Sequence, residues 1–301
     1  MKNQPRYTII RGEFHIFYPD LPKSGPQPDG DTVTFRPLRP GLVEALPRFS
    51  GRAPKFNARG MIPVRFEGID ALETHFQEMR QNLKYAKAAR DRLLSRLGFG
   101  DITYWPDHPN TVQTVQHNPI DGFLFANGIE SNGRLLGLVC TGSPPATDGK
   151  RFHVQPEHLR ESANFGQVAD GLAYAELYDT MPLVLQNELR HGLETARTAR
   201  HGFWPHENVS TTHGSRISNL ADLEDLVMWP KLFRRLAAYF AAGHAGLGAF
   251  DDWIREDSTD RDDSLRLPTG EAGNMHDTYE IHGDVLKLRE DPWKLTIAPD
   301  P

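Results

Sequence analysis

The sequence predicts an α+β fold, in which a five-stranded barrel is packed by about three helices and followed by a mostly helical C-terminal extension. Three observations lead to this prediction. Five short strand-like runs occur before residue 141, and longer runs with helical spacing lie between and after them. The chain also contains 23 prolines, which indicates many irregular connections between these elements.

The five predicted strands differ in how clearly their apolar residues alternate. They cover residues 14–18, 32–35, 60–68, 122–127 and 134–140. In the third strand, Ile62, Val64 and Phe66 fall on one face, as a half-buried strand requires. The last two strands read as a hairpin joined by a turn around residues 128–133.

Three helices are predicted around these strands, at residues 73–97, 158–172 and 183–200. In the first, Leu83, Leu93 and Leu97 contribute to an apolar stripe that ends at Gly98. Residues 39–59 and 99–119 are interpreted as irregular insertions. This order of elements fits an oligonucleotide/oligosaccharide-binding (OB)-like barrel, whose groove suits single-stranded nucleic acid.

Two domains are predicted, a barrel domain at residues 1–206 and an extension of unknown function at 207–301. The extension is expected to contain helices at 219–228 and 231–242, an acidic loop at 251–263 and a hairpin at 279–288.

Composition restricts the partners of this chain. The formal net charge of −6 does not attract nucleic acid, so a local basic patch would have to do so. Basic residues of the first helix, among them Lys84, offer such a patch, although a solvated helix face explains them equally well. The single cysteine, Cys140, excludes an intramolecular disulfide and is expected to be buried and inert.

The sequence shows neither a secretory signal nor an apolar run that could cross a membrane. The first residues lack a long apolar core, and residues 236–250 are interrupted by three glycines. We therefore expect a cytoplasmic protein without a membrane partner, whereas a trimmed mature form would indicate secretion. The oligomeric state does not follow from the sequence.

Five charged residues form the most informative pattern. Asp31 lies in an Asp-Gly-Asp-Thr-Val run, and Arg65, Asp70 and Glu73 lie within ten residues of one another, with Arg134 further on. Carboxylates suit Ca²⁺ or Mg²⁺, and arginine forks suit a phosphate diester. A metal ion together with an arginine clamp is what phosphodiester cleavage needs.

These blocks resemble the thermonuclease (staphylococcal-nuclease-like) family in residue type, order and local spacing. Residues 170–174 and 185–204 also resemble the family's Gly-Leu-Ala segment and its last helix, so the resemblance covers about residues 8–206. It implies a Ca²⁺-dependent nuclease on an OB-like barrel. The expected substrate is single-stranded or frayed DNA, with RNA as a second candidate.

The resemblance also implies a role for each of the five residues. Asp31 and Asp70 would bind Ca²⁺, with Mg²⁺ as the alternative ion. Glu73 would ready the attacking water, and Arg65 with Arg134 would hold the phosphate. Structural roles remain open beside these: the three acids would also serve a turn and a helix cap, and each arginine a surface salt bridge.

The departures from the family pattern affect the expected range of substrates more than the expected reaction. Leu72 replaces a proline, and Asn132 stands where the family has a tyrosine. Tyr174, Tyr178 and Lys84 are the remaining candidates for substrate binding.

Two other functions remain open. One is a non-catalytic module that binds nucleic acid or a protein partner on the same barrel. The other is a barrel re-purposed by its insertions for a different phosphorylated ligand.

Overall fold

The computed structural model describes residues 7–258 and 260–298. The strands are β1 (Tyr7–His15), β2 (Thr32–Pro37), β3 (Ile62–Phe66), β4 (Ile69–Ala71), β5 (Gly100–Trp105), β6 (His108–Gln116), β7 (Ile120–Ile129), β8 (Leu135–Thr141), β9 (Arg151–Phe152), β10 (Ala173–Ala175), β11 (Gly214–Arg216), β12 (Ser264–Arg266), β13 (Ala272–Asn274), β14 (Tyr279–His282), β15 (Val285–Leu288) and β16 (Thr296–Ile297). The α-helices are α1 (Pro40–Glu44), α2 (Leu83–Leu97), α3 (Pro156–Arg160), α4 (Ala163–Ala169), α5 (Leu183–Thr198), α6 (Leu220–Glu224), α7 (Pro230–Ala241) and α8 (Phe250–Arg255). Short 3₁₀ turns cover Trp204–His206, Met275–Thr278 and Pro292–Lys294.

Within this part of the chain, five strands close into a mixed barrel in the order β2-β3-β8-β7-β1, because β1 also pairs with β2. The β3–β8 pair is parallel, and the other neighbouring pairs of the barrel are antiparallel. Alternate residues of β3, namely Ile62, Val64 and Phe66, are buried, as their period of two predicts. The fold is therefore α+β, and its barrel is compatible with the predicted OB-like architecture.

Helix α4 packs against α2, against α5 and against the barrel strand β8. The buried side chain of Gln167 in α4 connects them to the loop that precedes β2. Its Nε2 donates hydrogen bonds to the carbonyl oxygens of Gly30, at 2.7 Å, and Ala89, at 2.8 Å. At Gly30 an added Cβ would lie 2.6 Å from the Cβ of Ala71, so only glycine allows this approach. These contacts fix the loop that carries Asp31.

Several predicted elements differ from the observed ones. The insertion at residues 99–119 is a hairpin of β5 and β6 rather than an irregular loop. The first helix begins at Leu83 rather than at residue 73, and the predicted helix at 158–172 is divided into α3 and α4. The first strand lies at residues 7–15 instead of 14–18, and part of the acidic loop is α8.

The extension is not mostly helical among its described residues, because it combines α6 to α8 with two three-stranded sheets. The helix predicted at 231–242 and the hairpin predicted at 279–288 are confirmed by α7 and by the β14–β15 pair. Apolar side chains from both parts of the chain belong to one continuous core. In residues 7–258 and 260–298, no helix has the length and apolar character needed to span a membrane.

Candidate functional site

The turn between β3 and β4 brings the predicted carboxylates beside Arg65. Gly68 occupies this turn with a φ of +80°, a left-handed conformation that favours glycine. After the turn, β4 pairs with β10 so that Asp70 lies opposite Tyr174. The backbone N–H of Glu176, just beyond β10, donates to the Gly68 carbonyl at 3.0 Å. The β3–β4 turn and the β4–β10 pairing therefore place Asp70 and Glu176 near Arg65.

Arg65 lies between three carboxylates. It forms an ion pair with Asp31, and its Nη2 lies 2.7 Å from Asp70 Oδ1 and 3.2 Å from Glu176 Oε2. Burial alone would lower the pKa of Arg65, but these acids outweigh it and raise the pKa well above its ordinary value. Asp31 Oδ2 also accepts a hydrogen bond from the Ala71 N–H at 3.0 Å. Arg65 thus holds the acids together.

A second guanidinium, from Arg234 of α7, approaches the same acids from the extension. Its Nη1 and Nη2 each lie 3.0 Å from one oxygen of Asp70, which is a bidentate pair. Its Nη1 also lies 2.7 Å from Glu73 Oε1, and its Nη2 lies 3.8 Å from Glu176 Oε1. Burial would raise the pKa of the fully buried Asp70, but Arg234 and then Arg65 outweigh it and lower that pKa.

The other acids of this set carry raised pKa values. Burial raises the pKa of Glu73 to about 6 despite its contact with Arg234. Burial, followed by repulsion from Asp70, raises the pKa of Glu176. Burial and then the charges of Glu73 and Asp31 raise the pKa of Asp29 well above its ordinary value. Four carboxylates, those of Asp31, Asp70, Glu73 and Glu176, therefore share the two guanidinium groups, whereas Asp29 accepts hydrogen bonds from the backbone N–H groups of Gly30 and Thr74. The acids with raised pKa values take up protons more readily than usual.

These groups border a cleft of about 940 Å³. Its charged lining includes Asp29, Asp31, Lys55, Arg65, Glu67, Glu73, Glu130, Arg134, Glu176, Lys231, Arg234, Arg235 and Asp263. Four half-buried aromatic side chains, Phe49, Phe56, Phe76 and Tyr178, also line it. The cleft thus combines acids, bases and aromatic faces in one groove.

No protein-family model matches the chain, and a search of the curated proteins found no match. The interpretation of the cleft therefore depends on its geometry.

The predicted site residues are brought together in part. Asp31, Arg65, Glu73, Arg134 and Tyr178 line the cleft, and the side chain of Asp70 is buried directly behind it. Arg134 pairs with Glu130 at 3.3 Å, and its buried Nε has no hydrogen-bond partner in residues 7–258 and 260–298. Arg134 therefore lines the same cleft but does not pair with Asp31, Asp70 or Glu73.

Two predicted substrate-binding residues do not reach the cleft. Tyr174 is fully buried against Phe203 and Trp204, and its hydroxyl donates to Glu207 at 2.9 Å. Lys84 borders a separate recess together with Tyr85. Among the residues that the structure describes, no basic side chain of α2 lines the cleft, so the predicted helical patch faces elsewhere.

With two guanidinium groups paired to them, the carboxylates do not fit the divalent ion that the resemblance implies. Both oxygens of Asp70 accept hydrogen bonds from guanidinium groups, and Asp31 Oδ2 is shared by Arg65 and the Ala71 amide. Within the described ranges, no group of three or more His, Cys, Asp or Glu side chains is arranged to hold a metal ion. Because Ca²⁺ needs six to eight oxygen ligands, the geometry gives the calcium prediction no support.

Three residues of the site were missed from the sequence: Asp29, Glu176 and Arg234. Asp29 opens the Asp-Gly-Asp-Thr-Val run, where an aspartate before glycine indicates a turn. Glu176 was detectable, because it is a charged residue inside the apolar run at residues 172–177. Arg234 had no local signal, since it lies on a helix more than 150 residues after its partners Asp70 and Glu73.

Glu67 offers a test of the electrostatics next to the cleft. Its Oε1 accepts a hydrogen bond from Asn127 at 2.5 Å, and its fully buried carboxylate lies beside the hydroxyl of Tyr7. Burial raises its pKa to about 7. Because the pKa of Glu67 is higher in the folded than in the unfolded protein, its protonated form stabilises the fold. This contribution is fully present below the pKa of the unfolded state and is lost as the pH rises through 7.

We therefore expect Glu67→Gln to remove a pH-dependent loss of stability of about 3 kcal/mol between pH 5 and 8. Relative to the wild type, the variant should gain stability as the pH rises. Denaturant unfolding of both proteins at pH 5 and pH 8 measures this difference. A difference between the two proteins that is equal at both pH values would contradict the expectation.

Proposed function

We propose that this cleft hydrolyses phosphodiester bonds of nucleic acid. The observation that carries the proposal is Glu73, a cleft-lining carboxylate with a pKa of about 6. A general base works best when its pKa lies near the working pH. Its Oε1 is held by Arg234, whereas its Oε2 accepts no hydrogen bond from the residues described, and so can accept a proton from water.

Single-stranded or frayed DNA is the proposed substrate, with RNA as the second candidate. Bases of a single strand stack on aromatic faces, and the cleft offers Phe49, Phe56, Phe76 and Tyr178. The phosphates would meet basic side chains, which line the cleft at Lys55 and Arg134. A local basic lining of this kind is needed because the net charge of the chain is −6.

The chemistry assigns a separate task to each group. Glu73 takes a proton from a water molecule as the water oxygen attacks phosphorus. The bond from phosphorus to the 5′ oxygen breaks, the departing oxygen takes a proton from solvent, and a 3′-phosphate remains. Arg134 stabilises the negative charge that develops on the phosphate oxygens. Arg65 is fully engaged by Asp31, Asp70 and Glu176, so its task is to hold the acids in place.

The test of this function is a gel assay of single-stranded DNA, RNA and plasmid, with calcium, magnesium or a chelator. We expect single-stranded DNA to be degraded faster than plasmid. Binding of nucleic acid that is equal under all three conditions, without any degradation, would contradict hydrolysis and would support a non-catalytic binding module instead. A small phosphodiester turned over faster than any polynucleotide would point to a different ligand.

Arg134→Ala is expected to lower the rate of hydrolysis by about 10²–10³-fold, because one donor to the developing charge is lost. Its side chain is about a third exposed, with one weak pair to Glu130, so the fold should persist. Initial rates on single-stranded DNA measure the effect. The matched control is Arg160→Ala, which removes an exposed arginine paired with Glu188 outside the cleft lining. Equal rates for the two variants would remove Arg134 from the mechanism.

A further inference from the structure

Arg234 has the position that a cation would need among the acids of this site. Asp70 and Glu73 lie within 3.0 Å of its guanidinium, and Glu176 lies 3.8 Å away. Glu176 Oε1 is buried and has no hydrogen-bond partner in the described part of the chain. Glu176 therefore faces the same guanidinium as Asp70 and Glu73, and a buried acid in this position needs a positive charge beside it.

The two guanidinium groups reach the acids from different parts of the chain. Arg65 comes from the barrel and Arg234 from the extension, and both donate to Asp70. A charge buried without a partner would be costly, so removal of either arginine would leave the acids in need of another cation. Arg65 does not replace Arg234 at Glu73, because Glu73 accepts its hydrogen bond from Arg234.

Helix α7 holds Arg234 in place by extensive packing. Trp229, Phe233 and Leu236 are buried, and the Gln81 side chain donates to the Met228 carbonyl at 3.0 Å just before the helix. On the same helix, Lys231 pairs with Asp263 at 2.8 Å. These contacts anchor α7, and with it Arg234, against the rest of the protein.

We propose that Arg234 is the resident cation of this carboxylate set, in the place where the sequence pattern predicts a divalent ion. The wild-type protein then binds neither Ca²⁺ nor Mg²⁺ at these acids. Arg234 neutralises these acids whether or not the cleft cleaves nucleic acid. If the cleft does cleave it, cleavage continues in a chelator, and that consequence rests on the proposed function.

The experiment compares the response to CaCl₂ of the wild type, Arg234→Ala and Arg235→Ala, by calorimetric titration and thermal unfolding without nucleic acid. We expect no binding and no shift of Tm in the wild type. Arg234→Ala should have a lower Tm without calcium, and it should bind Ca²⁺ and gain Tm as the CaCl₂ concentration rises. Arg235→Ala is the matched control: Arg235, the next residue on α7, pairs with Asp263 and not with this carboxylate set, so no calcium response is expected.

Binding of Ca²⁺ by the wild type that disappears in Asp70→Asn would overturn the proposal. A folded Arg234→Ala protein that does not respond to calcium would overturn it as well. If the alanine variant does not fold, Arg234→Gln keeps much of the side-chain volume and is expected to show the same gain in Tm. Because nucleic acid is absent, these results are separate from success or failure of the cleavage assay.

Discussion

Glu73→Gln is expected to slow hydrolysis of single-stranded DNA by about 10²–10⁴-fold, because the amide cannot take the proton of the attacking water. The substitution keeps the shape of the side chain and an oxygen that can still accept a hydrogen bond from Arg234. The fold should therefore survive, and thermal unfolding checks this. Rates measured with excess enzyme isolate the chemical step from substrate binding.

The pH dependence of the wild type tests the same carboxylate independently. Since the base works only when it is deprotonated, the rate should fall about tenfold per pH unit below the pKa of about 6 and level off above it. The matched control is Glu78→Gln, the same change at an exposed position. Loss of activity in both variants, or a rate that does not change between pH 4 and 7, would contradict the role of Glu73.

Arg65→Met is expected to lower the free energy of unfolding by about 3–5 kcal/mol at pH 7, because it leaves buried acids without their shared partner. Asp31, Asp70 and Glu176 all contact this guanidinium. Denaturant unfolding measures the loss. Arg160→Met serves as the control, since its partner Glu188 forms an exposed pair that contributes at most about 1 kcal/mol.

The sign of the pH effect follows from Asp70. Its pKa is lowered in the folded protein, so its pairing gives stability that is present above the unfolded value and lost as the pH falls through the folded value. The deficit of Arg65→Met should therefore shrink below about pH 4, where the unpaired acids become protonated. A deficit below about 1 kcal/mol at pH 7, the range of an exposed pair, would show that the acids do not need Arg65.

The sequence predicts the parts of this site that are local in the chain. Arg65, Asp70 and Glu73 are close in sequence, and the alternation of β3 already places Ile62, Val64 and Phe66 on the buried face. The order of the strands then brings Asp31 beside them, since β2 pairs with β3. The alternation in β3 and the short spacing of Arg65, Asp70 and Glu73 can both be read from a single sequence.

The missed parts depend on contacts between distant segments. Arg234 is an arginine on an amphipathic helix, and nothing near it in the chain distinguishes it from a solvated residue. The segment before α2 looked helical, but Gln81 there donates to Met228 and accepts from the Glu73 N–H, so tertiary contacts override propensity. The β5–β6 hairpin was obscured by Pro106 and Asp107, which occupy its turn.

The most direct measurement is a time course of cleavage of end-labelled single-stranded DNA by the wild type and Glu73→Gln, each with a chelator and with calcium. With Arg234 as the resident cation and Glu73 as the base, the wild type should cleave at the same rate under both conditions, and the variant should cleave under neither. Cleavage by the wild type only when calcium is present would contradict the role of Arg234. Equal cleavage by both proteins, or by neither, would contradict the hydrolytic site itself.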